Sequence, residues 1–499
     1  MSNHEGIKYS HQELVDKSNE SIAKVKDIVS KDPKRQKYHF MAPAYWINDP
    51  NGLIQFKGEY HLFYQHHPYS PKWGAMHWGH AKSTDLVHWE HLPIALAPSE
   101  EYDRDEKGGC FSGSAVDDNG ILTLIYTGVI LENEIQKQVQ CIAASADGIT
   151  FTKHAGNPVI SEPPADGSWE FRDPKVWKHH GTWYMVVGSC KNEKGKALLY
   201  DSSDLYNWDY IGVLAESDGS QGLMWECPDF FPLGDKYVLI VSPIGMAGHK
   251  VIYMVGEMDY ATGKFTPERY EEVDHGFDFY APQTFLDDKG RRIMIGWMNS
   301  WDWMPWFKSF GPTTVNHWCG AMSIPRVLSL CEDGRIRFEP VEELKNLRRA
   351  YHQFNDVKII PDSCNVLEGL QGDSLEIIAE FDLNDCDADV FGFKLRCSSD
   401  YKEKTLVTYN TKTRELLVDR SESDAESEGA RGCQLEVKGG KLKIHIFVDR
   451  SSVEVFANGG RVVMSNNIYP HPSSKGVDVF SRRGTVNMTS LDVWELSKG

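Results

Sequence analysis

The feature of this sequence that most constrains its fold is a unit that recurs at nearly constant spacing. Five short aromatic and β-branched runs are typical of strands, and four of them are followed about 20 residues later by a polar turn and another aromatic residue. The steps from Asp85 to Asp147, Asp204 and Asp259, which occupy equivalent turns, are 62, 57 and 55 residues. Five such units, each worth about four strands, predict a five-bladed β-propeller. A continuous β-sandwich is the alternative interpretation.

The chain on either side of these units has a different pattern. Leu14, Ile22, Val25 and Val29 recur near helical spacing and predict an amphipathic helix, which either packs on the main domain or binds a partner. After about residue 360, short alternating strands with polar turns predict an antiparallel β-sandwich. We therefore expect an all-β protein with these parts: a helical segment (1–36), the propeller (37–339), a linker helix (340–358) and the sandwich (359–499).

The composition excludes several classes of protein. The chain has 72 acidic and 53 basic residues, a formal charge of -19, which argues against a nucleic-acid or anionic-membrane partner. It contains no apolar run long enough for a membrane helix and no signal-peptide pattern at its start. The ten cysteines are scattered, with no Cys-x-x-Cys pair, so neither a zinc site nor a disulfide scaffold is indicated. We expect a cytoplasmic protein with reduced thiols.

The segment 46–52 (Trp-Ile-Asn-Asp-Pro-Asn-Gly) places one carboxylate, Asp49, beside a turn. Pro50 restricts Asp49 to extended backbone geometry, and the Asn-Gly pair that follows is a strong hairpin signal. Asp49 is therefore expected at the end of a strand with little conformational freedom, which suits a nucleophile. An ordinary surface turn is the alternative.

Two more carboxylates occur in similar aromatic, turn-rich contexts: Asp173 in Phe-Arg-Asp-Pro, and Glu226 after Trp225. The innermost strand of each propeller blade lines the central channel, so acids at the same point of different blades converge on the axis. Glycoside hydrolysis needs such a set, because one carboxylic acid protonates the departing oxygen while a carboxylate acts from the other side. Turn capping or structural ion pairing is the alternative for each acid.

The residues next to Glu226 and Asp173 in the sequence indicate which acid is protonated and which is ionised. Trp225 and Cys227 flank Glu226, and partial desolvation there would favour the protonated form that a general acid needs. Arg172 precedes Asp173 and is expected to favour its ionised form. Cys227 itself is interpreted as a small packing residue, since no basic neighbour is present to activate a thiol.

Seven histidines crowd one region, but no metal site is predicted there. They have no acidic or cysteine partner at a recognisable ligand spacing, so we interpret them as ordinary hydrogen-bonded side chains. The residues are His61, His66, His67, His77, His80, His88 and His91.

Taken in this order, the three acidic motifs resemble those of glycoside hydrolase family 32, the β-fructofuranosidases. The resemblance covers about residues 37–499 and implies a propeller with an appended sandwich, a retaining double-displacement mechanism, and no metal or organic cofactor. It implies that Asp49 is the nucleophile, Glu226 the acid/base and Asp173 the transition-state stabiliser. The segment 448–456 resembles a strand pair of the family's second domain, for which we expect a structural role.

The same resemblance implies a set of substrate-binding residues drawn from the motifs around the acids and from the rim of the cleft. These residues are Trp46, Ile47, Asn48, Gln65, Trp73, Phe111, Ser112, Arg172, Tyr280 and Trp297.

The substrate itself is less constrained. The expected cytoplasmic location points to sucrose or sucrose 6-phosphate, with short fructo-oligosaccharides as further candidates. Lys72, Arg104 and Lys191 are candidate phosphate ligands by residue type alone, and ordinary surface charge is the alternative for each. A fructosyltransferase using the same residues and a non-catalytic carbohydrate-binding propeller are the competing functions. For a retaining enzyme we expect the carboxyl groups of Asp49 and Glu226 to lie about 5–6 Å apart. The sandwich is a candidate homodimer surface.

Overall fold

The computed structural model describes residues 9–361 and 365–498, which are mostly in β-strands. The helix expected near the N-terminus is confirmed as α1 (His11–Val29). Ser10 and Glu13 form a capping box that satisfies backbone donors at its start. Its buried face includes Val15, Ile22 and Val29, which pack in one apolar cluster with residues of the first blade. No helix within the described ranges combines the length and apolar character needed to cross a membrane.

Five antiparallel sheets follow one another along the chain and confirm the five-bladed propeller. Their strands, in chain order, are β1 (Tyr45–Phe56), β2 (Glu59–His67), β3 (His77–Ser83) and β4 (Trp89–Leu96) in blade 1; β5 (Gly109–Asp118), β6 (Ile121–Glu132), β7 (Ile135–Ser145) and β8 (Thr152–Lys153) in blade 2; β9 (Phe171–His179), β10 (Thr182–Lys191), β11 (Lys194–Ser202) and β12 (Asp209–Glu216) in blade 3; β13 (Met224–Leu233), β14 (Lys236–Ile244), β15 (Ile252–Asp259) and β16 (Lys264–Glu272) in blade 4; and β17 (Tyr280–Leu286), β18 (Arg292–Trp297), β20 (Arg326–Leu330) and β21 (Ile336–Pro340) in blade 5.

A short strand from late in the propeller sequence joins the first blade. The strand β19 (Trp318–Cys319) follows a 3-10 helix (Pro312–Asn316) and pairs in parallel with the start of β1. Tyr45 pairs with Trp318 and Trp46 with Cys319. This pairing joins the two ends of the propeller sequence three residues before Asp49.

The turn that carries the sequence repeat joins the third and fourth strands of a blade. In blade 1, Asp85 accepts backbone N–H groups of Val87 and His88 at 3.0 and 2.8 Å. Asp147 and Asp204 accept equivalent pairs of backbone donors in blades 2 and 3. Aspartate recurs because its short carboxylate satisfies the backbone of a tight turn, so the repeat is structural and remote from the channel.

The C-terminal part forms the expected β-sandwich, in which two antiparallel sheets enclose a separate apolar core. The six-stranded sheet contains β22 (Arg348–Ile359), β23 (Leu375–Asp382), β28 (Lys441–Asp449), β29 (Ser452–Ala457), β30 (Val462–Asn467) and β32 (Val486–Leu496). The five-stranded sheet contains β24 (Val390–Cys397), β25 (Lys404–Asn410), β26 (Glu415–Glu422), β27 (Ala430–Gln434) and β31 (Gly476–Arg482).

The segment expected as a linker helix, 340–358, has a different structure. Only Glu342–Leu347 is helical, as a 3-10 helix, while Arg348–Ile359 forms the strand β22. Val341, Leu344 and Leu347 are buried at a three-residue spacing, which is the period of a 3-10 helix. Most residues of β22 are exposed at the edge of the sheet, so the strand lacks the alternation that would have identified it. The division of the chain into domains at residues 36, 339 and 358 stays a prediction.

The segment 448–456 contributes to a buried charge network between propeller and sandwich. His39 places Nδ1 2.9 Å from Asp449 and Nε2 2.9 Å from Glu454. Arg326 donates to Glu454 at 2.7 Å and to Asp274 at 3.0 Å. All these side chains are completely buried, which accords with the structural role expected for this segment.

Candidate active site

The innermost strand of every blade is irregular near the same end of the channel. In β1 the pairing with β2 shifts register between Ile47 and Pro50, and comparable shifts occur early in β5, β9, β13 and β17. Such bulges bend a strand and re-aim its side chains. Asp173, at φ 65°, and Cys227, at φ 49°, have left-handed backbones within two of these bulges. Uncommon backbone conformations of this kind concentrate at functional sites.

The bulges surround a cavity of about 410 Å³ at the end of the channel. Asp49, Asp173 and Glu226 all line it, although they come from blades 1, 3 and 4. Seven of the predicted substrate-binding residues also line the cavity: Asn48, Gln65, Trp73, Phe111, Ser112, Arg172 and Tyr280. The structure therefore brings the three predicted catalytic acids together around one hollow of sugar size.

Asp49 is held by donors on both carboxylate oxygens. Asn48 Nδ2 donates to Oδ1 at 3.0 Å, and Ser112 Oγ donates to Oδ2 at 2.6 Å. The thiol of Cys227 also contacts Oδ2, at 3.5 Å. Burial raises the pKa of Asp49, and the neighbouring charge of Glu226 adds to this, while the hydrogen bonds oppose it. The carboxylate is thus oriented by three neighbours in a poorly solvated position.

Asp173 is the most deeply buried of the three acids. Its backbone N–H donates to Thr127 Oγ1 at 3.0 Å, and its Oδ2 accepts the backbone N–H of Cys227 at 2.8 Å. Burial raises the pKa of Asp173 to about 7, against the opposing charge of Arg172. Arg172 favours the ionised form of Asp173, as expected from the sequence, but desolvation outweighs the neighbouring cation and the net shift of the pKa is upward.

Arg172 binds Glu226 instead of its neighbour in the chain. Its Nη2 and Nε donate to Glu226 Oε1 at 2.9 and 3.2 Å, and its Nη1 contacts Glu170 and Gln138. Tyr280 Oη donates to the other oxygen, Oε2, at 2.6 Å. Glu226 is thus in an ion pair, whereas its sequence neighbours suggested an apolar environment.

Cys227 connects the acids. Its Sγ lies 3.5 Å from Oδ2 of both Asp49 and Asp173, and burial raises the pKa of the thiol. A neutral thiol here is a weak hydrogen-bond donor to two carboxylates. It therefore does more than the packing that we expected from the sequence.

Three of the predicted substrate-binding residues do not line the cavity. Trp46, Ile47 and Trp297 are almost completely buried behind its wall. Trp46 Nε1 donates to Asn48 Oδ1 at 2.7 Å, and the ring of Trp297 lies 4.9 Å from that of Trp301. Trp46 and Trp297 therefore support residues that face the cavity, Asn48 and Trp301.

The structure adds lining residues that sequence reasoning missed: Met76, Gln136, Trp301, Asp302, Trp303 and Phe310. The Trp-Asp-Trp run at 301–303 was an available signal, since sugar-binding clefts use indole rings. The run lies between strands, and a search for strand or helix periodicity does not reveal residues in such a segment.

The candidate phosphate ligands and the histidines lie elsewhere. Lys72, Arg104 and Lys191 do not line the cavity, and Lys191 Nζ contacts the carbonyl of Ala165. His61 and His80 hydrogen-bond to each other at 3.0 Å, and burial lowers the pKa of both. Across the described parts of the chain, no three His, Cys, Asp or Glu side chains are grouped so as to hold a metal ion.

Comparison with known proteins identifies the family. Residues 39–340 match the glycosyl hydrolases family 32 N-terminal domain, and residues 343–495 match the family's C-terminal domain. The chain belongs to glycosyl hydrolase family 32. The sequence-based assignment to that family is confirmed, and with it the assignment of the protein as a glycoside hydrolase of the invertase type.

Relatives of this family 32 enzyme match it along nearly the whole chain. It is 41% identical over 477 residues to the sucrose-6-phosphate hydrolase of Escherichia coli, covering 92% of this chain and 94% of that protein. It is 39% identical over 477 residues to the raffinose invertase of Escherichia coli, with the same coverage. Its structure resembles the β-fructofuranosidase BmSUC1 of Bombyx mori with a TM-score of 0.83, at 34% identity, covering 98% of this chain and 99% of that one.

Proposed function

We propose that this family 32 enzyme is a retaining β-fructofuranosidase that hydrolyses sucrose or sucrose 6-phosphate and releases fructose. Short fructo-oligosaccharides are included as further substrates. The observation that carries the proposal is the meeting of Asp49, Asp173 and Glu226 in one cavity, each with its own hydrogen-bond donors. A module that only binds sugar would not require a carboxylate held by three neighbours opposite a second, cation-paired carboxylate.

In the first step, Asp49 Oδ attacks the anomeric carbon of the fructosyl unit as the bond to the leaving oxygen breaks. Glu226, in its protonated form, gives its proton to that oxygen, and the leaving sugar departs. In the second step, Glu226 takes a proton from water, the oxygen attacks the anomeric carbon, and Asp49 is released. Tyr280 and Arg172 hold Glu226 in position throughout.

Asp173 is proposed to stabilise the transition state. It lies beside Asp49 in the cavity, joined to it through Cys227, and its carboxylate accepts hydrogen bonds from fructose hydroxyls. As the ring flattens toward the oxocarbenium ion, these hydroxyls become better donors and the bonds strengthen. Asn48, Gln65, Trp73, Phe111 and Ser112 complete the wall around the sugar.

The proposal includes a cytoplasmic location and a homodimer. All nine cysteines that the structure describes are unpaired, and five of them are buried, which suits a reducing compartment. The long strand β22 is exposed at the edge of its sheet, and an unpaired edge is a surface on which two copies can associate. Sedimentation equilibrium of the purified protein measures the dimer directly.

The function is tested by incubating the enzyme with sucrose and measuring fructose. Asp49→Asn and Glu226→Gln are expected to lower turnover by a factor of about 10³ or more, whereas the exposed Asp209→Asn leaves it unchanged. Early NMR spectra show whether fructose is released as the β anomer, as retention requires. Wild-type turnover in both cavity variants would refute the roles proposed for the two acids, and products longer than sucrose would identify a fructosyltransferase.

A further inference from the structure

The charges that line the active-site cavity are unsuited to a phosphorylated substrate. Carboxylates of Asp49, Asp173, Glu226 and Asp302 line it, and Arg172 is the single cationic side chain among the described residues that do so. A phosphate monoester carries about two negative charges near neutral pH. Proteins hold such groups with Arg or Lys side chains or with backbone N–H groups at helix N-termini.

Arg172 is already committed to other groups. Four hydrogen bonds leave its guanidinium, two of them to Glu226 Oε1 and one each to Glu170 and Gln138. The side chain is 9% exposed. A phosphate that bound two N–H groups of Arg172 would displace at least one of these partners, and loss of Glu226 would leave a partly buried carboxylate without its cation.

Asp302 is the acid of the cavity that no other feature explains. It is exposed and lies between Trp301 and Trp303, whose rings stack at 5.3 Å with 16° between their planes. Its carboxylate forms no hydrogen bond or ion pair with any residue that the structure describes. A free carboxylate accepts hydrogen bonds from sugar hydroxyls, and it repels an anionic group at the same position.

The aromatic side chains favour an uncharged sugar for a separate reason. Trp73 and Phe111 stand edge to face at 6.1 Å on the wall of the cavity, which also includes the stacked pair Trp301 and Trp303. The C–H faces of a neutral sugar bury apolar area against such rings. A phosphate on that sugar would have to give up hydration in the same apolar surroundings.

We propose that this cavity selects an uncharged saccharide over its 6-phosphate, and that Asp302 is the residue that determines the preference. The proposal rests on the function proposed above and narrows its substrate class. The substrate is a neutral disaccharide or short oligosaccharide whose leaving sugar presents free hydroxyls to Asp302.

The test compares kcat/KM for sucrose and sucrose 6-phosphate in the wild type, Asp302→Asn and the control Asp209→Asn. The wild type and the control are expected to prefer sucrose by about tenfold or more, a preference that added salt reduces by screening. Asp302→Asn is expected to lower kcat/KM for sucrose modestly and to reduce the preference by about fivefold. Calorimetric titration of the Glu226→Gln variant with each sugar measures the same preference in binding, without turnover.

Two results would overturn the proposal. The first is a wild-type enzyme that hydrolyses sucrose 6-phosphate as well as sucrose; if Lys72→Ala then removes that activity, the phosphate is bound at the rim beside Trp73. The second is an unchanged preference in Asp302→Asn. If neither sugar releases fructose, the proposed function fails, and the titration alone then decides whether the cavity discriminates against phosphate.

Discussion

Arg172 donates two hydrogen bonds to Glu226, a residue of the next blade, at 2.9 and 3.2 Å, although Asp173 is its neighbour in the chain. The guanidinium therefore joins the inner strands of blades 3 and 4 at the point where the proposed acid/base residue faces the substrate.

Arg172→Lys tests the importance of this paired geometry. A lysine keeps the charge but cannot reproduce the fork of N–H groups that reaches Glu226, Glu170 and Gln138 together. A hydrogen bond to a charged group contributes about 1.5–3 kcal/mol, so we expect kcat/KM for sucrose to fall by about tenfold or more. The exposed Arg483→Lys is the control. Equal activity of the two variants would show that only the charge of Arg172 matters.

Ser112→Ala removes the 2.6 Å hydrogen bond to Asp49 Oδ2. The nucleophile then keeps Asn48 and Cys227 as partners but loses its shortest contact, so we expect kcat to fall by about 10- to 100-fold with little change in Tm. Ser202→Ala, which deletes a similarly buried hydroxyl in an outer turn of blade 3, is the control. If both serine variants lose stability and neither loses kcat, the hydroxyl of Ser112 is structural.

The pH profile should reflect the raised pKa values of the buried acids. Burial raises the pKa of Asp49 above its usual 3.8 and that of Asp173 to about 7. Both are proposed to act as carboxylates, so activity is lost as pH falls through these pKa values. We expect kcat/KM for sucrose to decline from about pH 7 downward, over a broad range because the two acids are coupled. Full activity retained at pH 4 would contradict this.

The stability of the domain interface should fall at alkaline pH. Bonds to Asp449 and Glu454 raise the pKa of His39 from 6.5 to about 9, against the effect of burial. Because the folded-state pKa is the higher one, the stabilisation is complete below pH 6.5 and is lost as pH rises through about 9.

His39→Gln tests this linkage through Tm measured between pH 6 and 10. We expect the variant to melt several degrees below the wild type at pH 6 and the difference to narrow toward pH 10. His88→Gln changes an exposed histidine in a surface turn and is the control. If the difference in Tm between His39→Gln and the wild type stays constant with pH, His39 is neutral in the folded protein.

The propeller could be predicted from the sequence because the outer turn of a blade needs an aspartate to accept its backbone N–H groups. That aspartate recurs at a nearly constant spacing. The sequence also predicted that Asp49, Asp173 and Glu226 meet, since each begins an inner strand. It did not predict the partner of Arg172, because the bulge at Asp173 turns the two neighbouring side chains to different groups. Trp301 and Asp302 escaped notice because their positions follow from the path of an irregular loop, which leaves no period in the sequence.

The pairing of β19 with β1 has a consequence for when the enzyme becomes active. Tyr45 and Trp46, four and three residues before the proposed nucleophile, receive their parallel partner only from Trp318 and Cys319. During synthesis, the strand that carries Asp49 therefore cannot complete its pairing until a segment more than 270 residues later has been made. A nascent chain still lacking that segment holds every catalytic carboxylate and yet has an open ring, so assembly of the site coincides with completion of the propeller.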